Sequence, residues 1–406
     1  MATYRELWRT PGFAALFGTG TLMVGASTVS GLALGTLVFA ATGSPLLSAL
    51  SMFGPSLAQA VGATALLSAA DRLPPRAALT GVEVVFALGT LLLAVPGLHL
   101  AAMFAVVLAL GMLAAVAGGV RYGLLTEILP REDYLLGRSV LNMSVGAVQI
   151  CGFAAGGALI AVLSPGQTLL AAAALHLAAA AVARFGLRRR PPRAAGRPSI
   201  AETWRGNVLL WSSRPRRYVY LALWVPNGLI VGCESLYVPY APGHAGLLFA
   251  CAALGMLAGD TLTGRFTPPA WRGRLDAPLR LLLAVPYLVF ALDPALPVAV
   301  AAVTLASVGY AASLLLQDRL LALTPEEMSG HALGLHSAGM VTMQGVGAGI
   351  AGAVAEHTGP ATAMAVMAVA SVAVTLALVP GLRADPSGGG TFAPTGGGEG
   401  RDSVAS

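Results

Sequence analysis

Few residues in this chain could do chemistry, and nearly all of those are embedded in long apolar runs. Glu234 lies inside the run 218–240. A charge at the centre of a membrane helix costs roughly 2.5–3.5 kcal/mol on insertion scales, so an acid kept there is a candidate for binding a proton or a cationic solute. The alternative is a carboxylate reaching the outer interface, about two turns away. Asn227 stands seven residues earlier and is the better cavity candidate among the uncharged polar groups Asn142, Gln149, Asn227 and Gln344. Arg121, near the end of the run 99–127, is a further candidate for substrate or proton binding if it does not snorkel to the interface. Arg319 snorkels in the same way or pairs with Asp318. Glu83 reads as a structural partner for a nearby arginine. His176 and His336 read as neutral, hydrogen-bonded packing residues. The three cysteines, Cys151, Cys233 and Cys251, lack metal-ligand spacing, so no metal site is expected.

The elements that must hold these groups follow from composition. The chain is 56% hydrophobic and 10% charged, with a mean hydropathy of +0.76. Soluble domains carry about 25% charged residues, so this chain cannot clothe a water-facing surface. Backbone groups in lipid must be paired internally, and runs this long and this rich in Ala and Leu fit helices rather than the alternating strands of a barrel. Twelve runs approach or reach the ~20 residues a crossing requires. They are 13–41, 45–70, 77–95, 99–127, 137–163 and 167–186, then 218–240, 243–265, 275–292, 295–322, 331–356 and 360–379.

All 24 basic residues are arginine, and ten of them lie between Arg184 and Arg217 against one acid, Glu202. The others fall before span one, in or beside every second loop, and after span twelve, while the alternate loops contain none. This bias puts both termini and the central linker in the cytoplasm. It also argues against nucleic acid as the partner of the +6 charge, because the arginines sit at helix ends and not on one soluble face. Arg5 and Arg9 precede a first apolar run too long for a signal peptide, so that run stays as an anchor.

The expected organisation is an N-terminal six-helix bundle (1–186), a cytoplasmic basic linker (187–217), a C-terminal six-helix bundle (218–380) and a disordered cytoplasmic tail (381–406). In the linker, Ser199 and Glu202 form a capping-box pattern ahead of Ile200, Trp204, Val208 and Trp211 at helical spacing. That pattern predicts an amphipathic helix over 200–212 lying on the inner leaflet; residues 3–9 could lie there too. The two halves are related. At an offset of 195, Pro130, Glu132, Gln149, Gly152 and Gly157 meet Pro325, Glu327, Gln344, Gly347 and Gly352. Parallel six-span repeats are the arrangement of a rocker-type transporter.

Over roughly residues 10–380 the chain resembles the major facilitator superfamily. The loop after span two retains Asp71, Arg72, Arg76 and Leu79 of that family's Gly-x-Leu-Ala-Asp-Arg-x-Gly-Arg-Arg/Lys-x-x-Leu pattern, but has Leu67, Pro74 and Pro75 where the pattern has Gly, Gly and a base. The resemblance implies that Asp71, Arg72 and Arg76 form a cytoplasmic gate. Gly152-Phe153-Ala154-Ala155-Gly156-Gly157 resembles the exporters' Gly-Pro-x-x-Gly-Gly, with Gly152, Gly156 and Gly157 serving an antiport-like motif or close helix packing. Thr126-Glu127-Ile128-Leu129-Pro130 is similar to the fourth-span ending of drug and siderophore exporters.

The expectation is an all-α integral membrane protein that is no enzyme and needs no cofactor. The implied activity is proton-coupled export of a small organic compound from a bacterial cytoplasm by alternating access. Solute uptake by the same fold, or a membrane sensor or enzyme, are the alternatives. Expected partners are a small-molecule substrate, protons and membrane lipid, with no nucleic acid, and the chain is expected to be a monomer.

Overall fold

The computed structural model describes residues 4–70, 73–191, 200–325 and 328–383. Asp71, Arg72, Ser199, Glu326, Glu327 and the tail beyond 383 lie outside the described residues, as do the side chains of Asn142 and Glu202.

The helices are α1 (Tyr4–Arg9), α2 (Phe13–Thr42), α3 (Pro45–Ala70), α4 (Pro75–Leu93), α5 (Leu100–Ile128), α6 (Arg131–Val162), α7 (Pro165–Gly186), α8 (Ile200–Ser212), α9 (Arg214–Ser235), α10 (Tyr237–Tyr240), α11 (Ala245–Phe266), α12 (Pro269–Ala284), α13 (Leu296–Val308), α14 (Ala312–Ala322), α15 (Ser329–Thr358) and α16 (Pro360–Arg383). Among the described residues, eleven helical segments are long and apolar enough to cross a membrane. With the 26-residue α3 there are twelve crossings, matching the twelve apolar runs.

Local chemistry sets the boundaries. Five crossings open on proline: α3, α4, α7, α12 and α16. Proline fits the first helical turn because its missing N–H would be unpaired there anyway. The short Ser164-Pro165-Gly166-Gln167 connection is a complete capping box. The Gln167 N–H donates to Ser164 Oγ at 3.2 Å, and the Ser164 N–H to Gln167 Oε1 at 3.1 Å. Gly43 ends α2 at φ 66°, a left-handed conformation glycine takes without a steric penalty.

Besides the seventh, which breaks at Leu236 between α9 and α10, two spans depart from continuous α-helix. The ninth continues from α12 as a 3₁₀ segment, Val285–Leu292, and the tenth is broken between α13 and α14 by a 3₁₀ turn, Gly309–Ala311. Close backbone approach accounts for the second. A Cβ on Gly309 would come within 2.5 Å of the Leu279 carbonyl oxygen. The fifth span differs in the other direction, since its helix begins at Arg131, six residues ahead of the predicted apolar run.

The α2–α7 crossings pack among themselves, as do α9–α16. In the second bundle Gly228 and Gly232 lie against Met343 and Gly347, where added Cβ atoms would meet carbonyl oxygens at 2.6 Å. Small residues let membrane helices approach this closely. Helix α8 docks on the second bundle. Leu210 is fully buried, Trp211 stacks on Trp224 with ring centroids 5.6 Å apart, and Asn207 Oδ1 lies 2.8 Å from His331 Nε2. Trp204 and Val208, on the same face as Trp211 but earlier in the helix, stay exposed, so the predicted apolar face is split along its length between protein and surroundings. Helix α1 buries Leu7, while Trp8 packs edge-on against Phe13 and Phe17.

Candidate functional site

The seam between the bundles is formed by α3 with α15 and by α6 with α11. It is tight at the end of the molecule away from the termini. Gly157 and Gly246 meet backbone to backbone; a Cβ on Gly157 would lie 2.8 Å from the Gly246 Cα. Phe153 stacks on Phe249 one turn deeper, at 4.5 Å between centroids. On the other side Leu46, Leu50 and Leu57 of α3 pack against Gly352, Gly349 and Gly345 of α15. Glu356, at the end of α15, bonds the Ser44 hydroxyl and accepts the Leu46 N–H at 3.2 Å, placing a carboxylate on the N-terminus of α3.

The same helix faces are open at the end near the termini. At 100° per residue, Gly146, Gly264 and Gly334 lie within about 20° of the directions taken by Gly157, Gly246 and Gly345. A Cβ on any of these three would meet nothing within 4 Å. The bundles therefore form a wedge, closed at one end and parted at the other. The repeat-related glycines occupy equivalent places in it. Gly157 and Gly352 are both seam contacts, while Gly152 and Gly347 both pack inside their own bundles, against Thr28 and Gly228.

Most of the chemistry sits in the second bundle. Glu234 is only 6% exposed, so its carboxylate does not reach the outer interface. It accepts a hydrogen bond from the Tyr310 hydroxyl at 2.9 Å. The 3₁₀ turn that interrupts the tenth span carries Tyr310. Beside it the hydroxyls of Tyr237 and Tyr287, both fully buried, bond each other, and Tyr287 belongs to the 3₁₀ end of the ninth span. A buried carboxyl with one hydroxyl donor, Tyr310, and a second hydroxyl pair beside it is chemically able to hold a proton. Asn227 lies about 10 Å further along α9 on nearly the same face. It is 6% exposed, and its Oδ1 has no partner among the described residues. Sequence patterns single out Glu234 and Asn227 but miss the three tyrosines, because an aromatic ring in an apolar run reads as packing.

In the first bundle Arg121 is 7% exposed and does not snorkel. Its guanidinium packs against Gly20 of α2 and over the Tyr122 ring, 5.2 Å from the centroid, with Nε unpartnered among the described residues. Arg76 is half-buried in the first turn of α4. Gly152 and Gly156 pack on Thr28 and Val29 of α2, and Gly157 reaches across the seam.

Two expectations change. Glu83 pairs with no arginine: His176 Nδ1 lies 2.8 Å from its Oε2, both side chains are 1% exposed, and Phe86 lies 5.2 Å from the imidazole. The acid expected to pair with an arginine and the histidine expected to pack alone are one buried pair tying α4 to α7. Arg319 neither snorkels freely nor depends on Asp318 alone; it donates to the Leu382 carbonyl at the end of α16. Asp276 and Arg280, which no sequence pattern distinguishes from the loop arginines, form a buried bidentate pair on α12, at 2.9 and 3.0 Å.

No protein-family model matches the sequence, and no curated protein does either. Solved structures do. A POT family transporter in complex with a thioalcohol-conjugated peptide aligns over 92% of this chain and 97% of its own, with 12% identity and a TM-score of 0.70. The nucleoside transporter NupG aligns over 92% and 100%, at 16% identity and a TM-score of 0.71. A bacterial homolog of the human lysosomal transporter Spinster, inward-facing and occupied, aligns over 94% and 96%, at 16% identity and a TM-score of 0.68. At such identities the likeness is one of fold. With its twelve crossings, repeat-related halves and bundle seam, the chain has the all-helical major facilitator fold.

Proposed function

We propose that this chain is a secondary active transporter that moves a small organic compound across a bacterial plasma membrane by alternating access. The direction is export, in exchange for protons. The observation that carries alternating access is the wedge: Gly157 closes on Gly246 at one end, while Gly146 and Gly264 face open space at the other. Arginine placement favours cytoplasmic termini, which makes the open end the cytoplasmic one. The fold likeness to a Spinster homolog described as inward-facing supports the same assignment.

Glu234 carries the proton, with Tyr310 as its hydrogen-bond donor. Asn227 and Arg121 contribute polar contacts for the solute. Asp71, Arg72 and Arg76 close the cytoplasmic end when the far end opens. The basic linker (187–217) tethers the N-terminal bundle (1–186) to the C-terminal bundle (218–380). The fold forms its path within one chain, so a monomer suffices.

Everted vesicles test both direction and coupling. With an inside-acid gradient, a transported solute accumulates inside them if the protein exports, and its addition partly collapses the gradient. Glu234→Gln must abolish accumulation against the gradient while leaving downhill exchange. Uphill accumulation by Glu234→Gln at the wild-type level would remove Glu234 from coupling, and loss of solute from the vesicles on acidification would mean uptake.

A further inference from the structure

Helix α11 carries a further intramembrane acid, Asp260, which neither the repeat nor the motifs single out. Its surroundings differ from those of Glu234. Asp260 is exposed. The ion pairs formed among the described residues, Glu83–His176, Glu127–Arg190 and Asp276–Arg280, do not include it. The next charge on the helix, Arg265, lies about 140° away around the axis, over the Phe266 ring.

The helix wheel settles which way Asp260 points. Gly255 and Gly259 face α13, where added Cβ atoms would meet Ser307 and Val308 at 2.9 Å. The seam face is marked by Gly246 against Gly157 and by Phe249 against Phe153. Asp260 falls about 20° from Phe249 and about 40° from Gly246, and 100° or more from both Gly255 and Gly259. It is therefore on the seam face. That face is buried at Gly246, Phe249 and Ala250, and exposed at Leu257, Asp260 and Gly264, where the bundles have parted.

Depth excludes a simple surface role. Asp260 lies six residues from the end of α11, about 9 Å along the axis. Long Lys and Arg stems bridge such distances to the interface, and the single methylene of aspartate does not. An uncompensated carboxylate at that depth needs water or a cation beside it. A water-filled wedge supplies the water.

We propose that Asp260 is a cation-binding carboxylate on the wall of the open cavity, and that it takes a protonated amine or other compact organic cation on the transported solute. The identity of that cation as cargo rests on the transport reading. The site itself rests on its position on α11.

The test uses the full chain with Cys151, Cys233 and Cys251 replaced by serine and a single reporter, Leu257→Cys, one turn from Asp260 on the same face. In vesicles exposing the terminal side, its labelling rates are compared for two impermeant methanethiosulfonates, one bearing a trimethylammonium group and one a sulfonate. The ammonium reagent should react faster, and Asp260→Asn should lower the cation-to-anion rate ratio by about fivefold or more. Asp260→Glu should keep the ratio. An unchanged ratio in Asp260→Asn overturns the proposal. So does failure of Leu257→Cys to react with either reagent when the detergent-unfolded protein reacts with both, since the face would then meet lipid. Labelling requires no transport, so a failed flux assay leaves this result standing and bears on the functional reading alone.

Discussion

The Gly157–Gly246 contact allows the state of the wedge to be shifted with a single methyl group. Gly157→Ala places a Cβ 2.8 Å from the Gly246 Cα, closer than carbon atoms sit. The obstacle is backbone, so no side-chain rotation relieves it. Overpacking of this kind typically costs 1–3 kcal/mol, and only the arrangement with this end closed bears that cost. At about 1.4 kcal/mol per tenfold, the ratio of closed to open at the far end should fall by about 5- to 150-fold. A far-open population of about 2% would rise to about 20% for a tenfold change. Spin labels at Val95→Cys and Leu292→Cys, both exposed and one in each bundle, report the separation by double electron–electron resonance. Gly157→Ala should add or enlarge a long-distance peak. Gly81→Ala, whose Cβ meets nothing within 4 Å, is the control and should leave the distribution unchanged. If Gly157→Ala gives the control's distribution with normal folding, the Gly157–Gly246 contact does not decide which end is closed.

Glu356→Ala removes both the bond to Ser44 and the carboxylate on the N-terminus of α3. It should move the same distance distribution in the same direction by a smaller factor, about two- to fivefold, as expected for an exposed helix-terminus charge. His176→Leu leaves the Glu83 carboxylate buried without its partner and should lower stability by about 3–5 kcal/mol. Unfolding in mixed micelles would show this, and the double variant Glu83→Met/His176→Leu should recover most of the loss.

The number and order of crossings are legible in the sequence because a span needs only length and hydropathy, and arginines and prolines punctuate the runs. The repeat is legible because Pro130, Glu132 and Gln149 are uncommon enough in such a background to recur visibly. The site is legible only where it is charged. Glu234 stands out because an acid in an apolar run is costly. Tyr237, Tyr287 and Tyr310 do not, since an isolated phenol in a membrane helix is inexpensive and common. Tyr287 and Tyr310 sit on the 3₁₀ segments at 285–292 and 309–311, departures from α-helix that hydropathy does not reveal. The Glu83–His176 pair was hidden for a similar reason: its members are 93 residues apart, and the repeat relates neither to the other.

On the proposed transport reading, the repeat also separates what moves from what binds. At the 195-residue offset, Gly152 and Gly157 find glycine in the other half, and both pairs keep their structural roles. The charged groups do not recur: Glu234, Asp260 and Tyr310 fall on Phe39, Ala65 and Ala115, and Arg121 falls on Leu316. A symmetric hinge permits two wedge-shaped arrangements of similar packing, which alternating access requires. On the same transport reading, the asymmetric charges give a solute or proton something different to meet in each arrangement, and without such a difference no ligand shifts the balance. Helix α9 joins the two roles. Gly232 packs against Gly347 of α15, and two residues further Glu234 bonds Tyr310. A change of charge at Glu234 therefore acts on the helix whose packing against α15 fixes the position of the closed seam.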